Sequence, residues 1–129
     1  RIVVMRAADS IEKITVNNPT YLRPHKQEIL QLCSTATDKE LVWHLAQLMP
    51  RVTWSIHELK VVWQRLRNWT LDKQGSRIVR VNALQSMADL LSQNPSKASE
   101  LNHLMEQLNK ENIPSISARI RMLQRCIKP

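Results

Sequence analysis

The sequence predicts an all-α protein built as a stack of antiparallel helical hairpins. Three observations predict this fold class. The 129 residues include a single glycine, Gly75, whereas glycine-rich phosphate loops, dinucleotide fingerprints and hairpin-rich β folds each need several positive-φ positions. After each helix-start signal, apolar residues recur at the spacing of one side of an α-helix. The chain also resembles itself at an interval of about 38 residues, which is typical of helical repeats.

Composition and charge indicate a folded, basic chain. Hydrophobic residues make up 43% and charged residues 23%, which excludes a disordered protein. No apolar run approaches the roughly 20 residues that a membrane-spanning helix needs, so we expect a protein without a membrane partner. Cys33 and Cys126 lie far apart and form no ligand pair or disulfide framework. We therefore expect a cytoplasmic protein, and we expect residues 1–129 to form one domain.

Helix-start and helix-stop signals divide the chain into seven predicted helices. Ser55 and Glu58 form a capping box that opens a helix over 55–71. Thr37 and Glu40 form a second box, whose helix ends near Pro50. Asn94, as N-cap, and Pro95 open a third helix. The remaining helices are predicted at about 1–16, 24–35, 76–93 and 115–127.

Short, turn-forming connections join these helices, so successive helices are expected to fold back on one another. The predicted layout is a first helix at 1–16 followed by hairpins at about 20–52, 54–93 and 95–128.

Self-similarity is the most informative feature of the sequence. Seven of the first twenty residues recur 76 positions later, including the triplet Arg-Ile-Val that begins at Arg1 and at Arg77. A valine four residues before an alanine occurs in both copies and again at Val42 between them. Placing the fourth anchor at Ala118 gives positions 3, 42, 79 and 118, separated by 39, 37 and 39 residues. This period predicts an α-solenoid with a close helix approach at each alanine.

The fourth copy departs from this pattern because Met122 stands where the other copies have alanine. A looser terminal repeat and a shifted alignment of the last helix both remain open explanations.

The segment Val79-Arg80-Val81-Asn82-Ala83 in the second helix of such a pair resembles HEAT-like repeats of the armadillo-type fold. The resemblance covers essentially the whole chain, although only Arg80 and Arg119 supply the arginine that follows the anchor. It implies a right-handed superhelix with first helices on the convex side and second helices on the concave side. By this mapping the helix at 1–16 lacks its outer partner, so we expect either upstream residues or another molecule to cover it.

Basic residues are concentrated in two stretches. Between Lys60 and Arg80 there are six basic residues and one acid, and the residues after Pro114 include four basic residues and no acid. Such clusters have two interpretations. They are solvated or make contacts between repeats, or they bind phosphate or an acidic partner. The candidates for the second role are Arg77, Arg80, Arg121 and Arg125.

The row of residues two places after each anchor, at positions 5, 44, 81 and 120, would point away from the anchor and toward the concave face. Within this row and beside it, the candidate partner-binding residues are Trp43, His44, Val81 and Ile120. The competing interpretation is that both sides of a second helix pack within the stack.

Candidate catalytic and metal-ligating residues receive little support. The four histidines show no pairing at metal-ligand spacing on one helix, and carboxylates do not cluster beyond Asp9 and Glu12. We expect no metal or cofactor.

The sequence therefore favours a binding scaffold for a protein or peptide. A nucleic-acid-binding array is the alternative, and an enzyme related to the HEAT-like DNA glycosylases is a third hypothesis for which no catalytic acid can be mapped.

Overall fold

A computed structural model describes residues 10–11 and 17–127. It contains six α-helices within 17–127 and no strand in that part of the chain. Apart from residues 10–11, the predicted helix at 1–16, including Met5 and Ala7, lies outside the described residues. The α-helices are α1 (Lys26–Thr35), α2 (Lys39–Leu48), α3 (Ile56–Leu71), α4 (Arg77–Asp89), α5 (Ala98–Asn109) and α6 (Pro114–Cys126). Short 3-10 segments lie at Pro19–His25, Met49–Arg51, Leu90–Ser92 and Pro95–Lys97.

The start of α3 confirms the predicted capping box. Ser55 Oγ accepts a hydrogen bond from the Glu58 backbone N–H at 3.2 Å, and the Ser55 N–H donates to Glu58 Oε1 at 2.9 Å. The start of α2 differs from the prediction, because Asp38 rather than Thr37 is the N-cap and accepts from the Glu40 N–H at 3.0 Å. Asp38 immediately precedes the first helical residue, so its short carboxylate reaches the unpaired N–H groups of the first turn.

Removing the α3 cap should have a measurable cost. Ser55→Ala should lower the free energy of unfolding by about 1 kcal/mol, because one N–H of the first turn loses its acceptor. Ser76→Ala is the matched control, since Ser76 is the N-cap of α4 but its side chain makes no capping hydrogen bond. Urea denaturation followed by circular dichroism measures both, and equal losses would contradict the assigned role of Ser55.

Helices that follow one another in the chain pack as pairs, and every second helix from α2 onward also packs against the next one. The pairs α1 with α2, α3 with α4 and α5 with α6 are in contact, and α4 also contacts α2 and α6. One hydrophobic cluster contains buried residues from all six helices. The second helix of each pair is therefore in contact with the second helix of the next pair.

Close approach of α2 and α4 centres on two alanines. Ala46 and Ala83 are fully buried, and the Ser86 hydroxyl donates to the Ala46 carbonyl oxygen at 2.5 Å. A side chain as short as serine reaches a neighbouring helix backbone only where no bulky residue separates the two helices.

Burial decides how the last helix aligns with the others. Val42 and Ala46 on α2 and Met49 just after it are buried, and so are the residues 37 positions later on α4, namely Val79, Ala83 and Ser86. A further 37 positions lead to Ile116, Ile120 and Leu123, which form the buried side of α6. On α6 the buried position at this spacing is Ile116 rather than Ala118, and Met122 lies 57% exposed.

First helices α1 and α3 lie side by side and run in the same direction. Lys26 Nζ lies 2.7 Å from Glu58 Oε1 near the start of both helices. Arg65 lies near Cys33 seven residues further along each helix, and burial raises the pKa of the Cys33 thiol to about 12. Equal steps along both helices require them to be parallel.

Acid should weaken the contact between α1 and α3. The hydrogen bonds that Glu58 accepts, from Lys26 first and from Ser55 next, lower its pKa from 4.5 to about 2. A carboxylate whose pKa is lowered by folding contributes stability above its ordinary pKa, and that stability is lost as the pH falls from about 4.5 to about 2. Glu58→Gln should reduce stability at pH 7 and flatten the decline below pH 5.

Thermal unfolding between pH 7 and pH 2 measures this slope. Glu106→Gln is the control because the Glu106 side chain is 70% exposed. A slope that Glu58→Gln and Glu106→Gln change equally would rule out the assigned origin.

Candidate binding surfaces

The solvent-facing sides of α2, α4 and α6 are joined by two polar contacts. Gln47 Nε2 donates to Asn82 Oδ1 at 3.2 Å, and Arg119 Nη1 donates to Gln85 Oε1 at 2.8 Å. Asn82 and Arg119 are 37 residues apart, and Gln47 and Gln85 are 38 apart, so the two contacts lie within one residue of corresponding positions. We call the exposed and half-buried side chains of these three helices the second-helix surface. Besides the four residues of the two contacts, they include Trp43, Ile78, Val81, Met122, Arg77, Arg121 and Arg125.

Apolar groups on this surface come from all three helices. Ile78 is 40% exposed and Met122 is 57% exposed, while Trp43 and Val81 are half-buried. The Trp43 ring stacks on the His44 ring with centroids 5.0 Å apart and planes 14° apart. This stacking fixes the orientation of the Trp43 ring.

Three of the four predicted arginines also lie on this surface. Arg77 is exposed at the start of α4, one turn before Val81, and Arg121 and Arg125 are exposed on α6, one residue before and three residues after Met122 in the sequence. The surface therefore combines apolar groups with guanidinium groups that are open to solvent.

Arg80 has a different role from the one considered for the arginine cluster. Its side chain is 2% exposed, and its Nε donates to the Thr70 carbonyl oxygen at 2.9 Å. Its terminal nitrogens donate to both carboxylate oxygens of Glu111, at 3.1 and 2.7 Å. The hydrogen bonds from Arg80 lower the pKa of Glu111. Arg80 ties the end of α3 to the segment after α5, so it is not available to a phosphate group.

Ile120 and His44 are also buried in the chain. Ile120 is fully buried in the hydrophobic cluster, 37 residues after Ala83, which is also fully buried. His44 is 8% exposed, under the Trp43 ring. Of the four candidate partner-binding residues, Trp43 and Val81 therefore remain at the surface, and Ile120 belongs to the core.

A separate cleft lies between α3 and the start of α5. It has a volume of about 390 Å³ and is lined by Lys60, Trp63, Gln64, Arg67, Lys97 and Glu100. We call it the α3–α5 cleft. It shares no residue with the second-helix surface.

The Glu100 carboxylate is the fixed centre of this cleft. Trp63 Nε1 donates to Glu100 Oε2 at 2.5 Å, Lys97 Nζ lies 3.4 Å from Oε1, and Arg67 Nε lies 4.0 Å from Oε2. The hydrogen bond from Trp63, together with the charges of Lys97 and Arg67, lowers the pKa of Glu100. Glu100 therefore stays ionised at neutral pH and orients the two cations.

Sequence reasoning places Trp63 in the core and does not identify the cleft. Lys60, Gln64 and Arg67 follow a helical i, i+4, i+7 spacing, which is the only signal in the sequence that could have grouped them. Lys97, at the end of a 3-10 segment, and Glu100, on α5, also line the cleft. No local sequence pattern predicts their contact with α3.

Comparison of the chain with protein-family models, with curated proteins and with solved structures finds no match. In the described part of the chain, no helix is both long and apolar enough to cross a bilayer. Over the same residues, no group of three or more His, Cys, Asp or Glu side chains is arranged to hold a metal ion.

Proposed function

We propose that this chain is an array of HEAT-like helical hairpins that binds a protein partner through the second-helix surface. The partner chemistry that fits is an amphipathic helix whose apolar side is flanked by acidic residues. The observation that carries the proposal is the mixture of partly exposed apolar groups and exposed arginines along three adjoining helices.

The spacing of buried residues supports the array. Buried positions on α2 recur 37 residues later on α4 and again on α6, and each pair of second helices is joined by a corresponding polar contact. In a stack of similar units, neighbouring units meet through equivalent positions. The parallel course of α1 and α3 supports the same arrangement for the first helices.

Side-chain chemistry supports a protein partner. Trp43, Ile78 and Met122 offer apolar area that loses contact with water when a helix docks. Arg77, Arg121 and Arg125 flank this area and would pair with carboxylates, which favours one orientation of the partner. The overall charge of +8 accelerates encounter with an acidic chain.

The exposed arginines favour nucleic acid as a second candidate function. In this alternative, Arg77, Arg121 and Arg125 contact backbone phosphates, and the Trp43 ring stacks on an unpaired base. The two functions differ in salt dependence, because phosphate contacts release counterions and apolar contacts do not.

Fluorescence anisotropy with two labelled probes tests the proposal. One probe is a helical peptide of about 18 residues with leucines on one side and glutamates beside them. The other is a DNA oligonucleotide of similar length, single-stranded or duplex. We expect the peptide to bind, with an affinity that falls less steeply with salt than phosphate contacts would, because only its flanking charge pairs are screened.

Matched substitutions locate the binding surface. Ile78→Asp should weaken peptide binding by at least about tenfold, whereas Ile56→Asp should leave it unchanged, because Ile56 is 76% exposed on the first helix α3. Steeply salt-dependent binding of DNA with no binding of peptide would replace the proposal with the alternative. Equal effects of the two substitutions would overturn the assigned surface.

A further inference from the structure

The α3–α5 cleft combines an excess of positive charge with a size suited to one small charged group. Lys60, Arg67 and Lys97 contribute three cations, and Glu100 is the single acid, so the lining carries a net charge of two. The volume of about 390 Å³ admits a compact polar group but not a folded segment.

Glu100 leaves most of the donors in the cleft available. Its two oxygens are in contact with Trp63 and Lys97, and Arg67 faces it through Nε. A guanidinium group carries four more N–H donors on its terminal nitrogens, and an ammonium group carries three. The carboxylate therefore holds Arg67 and Lys97 in place while these cations keep donors for a second anion.

Lys60, on α3, supplies the third cation of the cleft. It lies seven residues before Arg67 with Gln64 between them, and its side chain is exposed. Gln64 Nε2 donates to Asn68 Oδ1 at 2.9 Å, which orients the amide at the edge of the cleft.

We propose that the α3–α5 cleft binds a phosphate monoester, with Lys60, Arg67 and Lys97 as its ligands. A phosphate monoester carries a charge of about −1.5 to −2 at neutral pH and three acceptor oxygens, which matches the net charge and the three cations of the cleft. A carboxylate or a phosphodiester carries one negative charge and would leave the lining under-neutralised. Arg67 supplies the planar donor pair that favours phosphate oxygens. This site is independent of the second-helix surface.

The Trp63 indole N–H provides a reporter within the cleft. It is hydrogen-bonded to Glu100, so an anion that binds Arg67 and Lys97 beside this carboxylate should shift its resonance. The experiment is a titration of ¹⁵N-labelled protein with acetylated phosphoserine amide, with inorganic phosphate and with dimethyl phosphate, each compared with chloride at the same ionic strength. The Trp63 signal is assigned with Trp63→Phe.

We expect saturable shifts with the two phosphates, and binding of dimethyl phosphate that is at least about tenfold weaker, because it carries a single charge. Tighter binding of the phosphoserine compound than of inorganic phosphate would identify a phosphorylated side chain as the source of the group. Equal binding of these two would identify the phosphate group alone as the ligand.

Substitution separates a site from general attraction to a basic protein. Lys60→Gln should weaken binding of the phosphoserine compound by at least about threefold, whereas Lys110→Gln, an exposed lysine outside the cleft, should not. Lys60 makes no contact with Glu100 that would couple the change to folding. Equal effects of the two substitutions, or binding of dimethyl phosphate as tight as that of the monoesters, would overturn the proposal.

Discussion

Arg80→Met should lower the free energy of unfolding by about 3 to 5 kcal/mol, the largest loss that we expect from a single polar residue in this protein. The Arg80 guanidinium bonds the Thr70 carbonyl oxygen and both oxygens of Glu111. Methionine fills most of the volume but leaves a carboxylate that is 18% exposed without its cation. The Thr70 carbonyl belongs to the last turn of α3, where carbonyl groups lack partners within the helix, so it also loses its donor.

Arg77→Met is the matched control for this measurement. Arg77 lies one turn earlier on the same helix and is exposed, so its replacement should change stability by about 0.5 kcal/mol or less. The double variant Arg80→Met with Glu111→Met should be more stable than Arg80→Met alone, because no unpaired carboxylate remains. Urea denaturation followed by tryptophan fluorescence measures the unsubstituted protein and the three variants. A loss below about 1 kcal/mol in Arg80→Met would show that the arginine is dispensable to the core.

Ile120→Asp should prevent stable folding, whereas Met122→Asp should be tolerated. Ile120 is fully buried and Met122 is 57% exposed, although the two residues lie on the same helix and two positions apart. A carboxylate at position 120 would be buried among apolar side chains without a partner, which costs several kcal/mol. At position 122 the same carboxylate would face solvent.

Ile120→Ala gives a graded form of this experiment. It should cost about 2 to 5 kcal/mol through lost burial and a residual cavity, while leaving enough structure to measure. Circular dichroism and the midpoint of urea unfolding distinguish the variants. Comparable stability of Ile120→Asp and Met122→Asp would show that α6 is rotated from the orientation described, and would move Ile120 back to the surface.

These two residues also limit which surface can bind a partner. Arg80 and Ile120 are both engaged within the chain, so changes at either would alter binding only by altering the fold. Ile78, Met122, Arg121 and Arg125 are exposed and can be changed without that complication. A loss of binding after substitution at these exposed positions would therefore report on the contact itself.

The sequence by itself determined the helical content and most helix boundaries. The Ser55 and Glu58 capping box and the stop near Pro50 act through hydrogen bonds and sterics within about four residues, so a local pattern contains the needed information. The predicted start at Asn94 and Pro95 opens a 3-10 segment without a side-chain capping bond, and α5 begins only at Ala98. The period of about 38 residues stays a prediction, and burial on α2, α4 and α6 recurs at a spacing of 37 residues.

Only the tertiary structure decided which face of each helix is covered and which distant side chains meet. The anchors at 3, 42, 79 and 118 rested on identity of residue type, whereas the buried residue 37 positions after Val79 is Ile116. Arg80 and Glu111 are 31 residues apart, and Trp63 and Glu100 are 37 apart. Contacts at such separations depend on how helices pack, and packing is set by the shapes of many side chains together rather than by the spacing of any few.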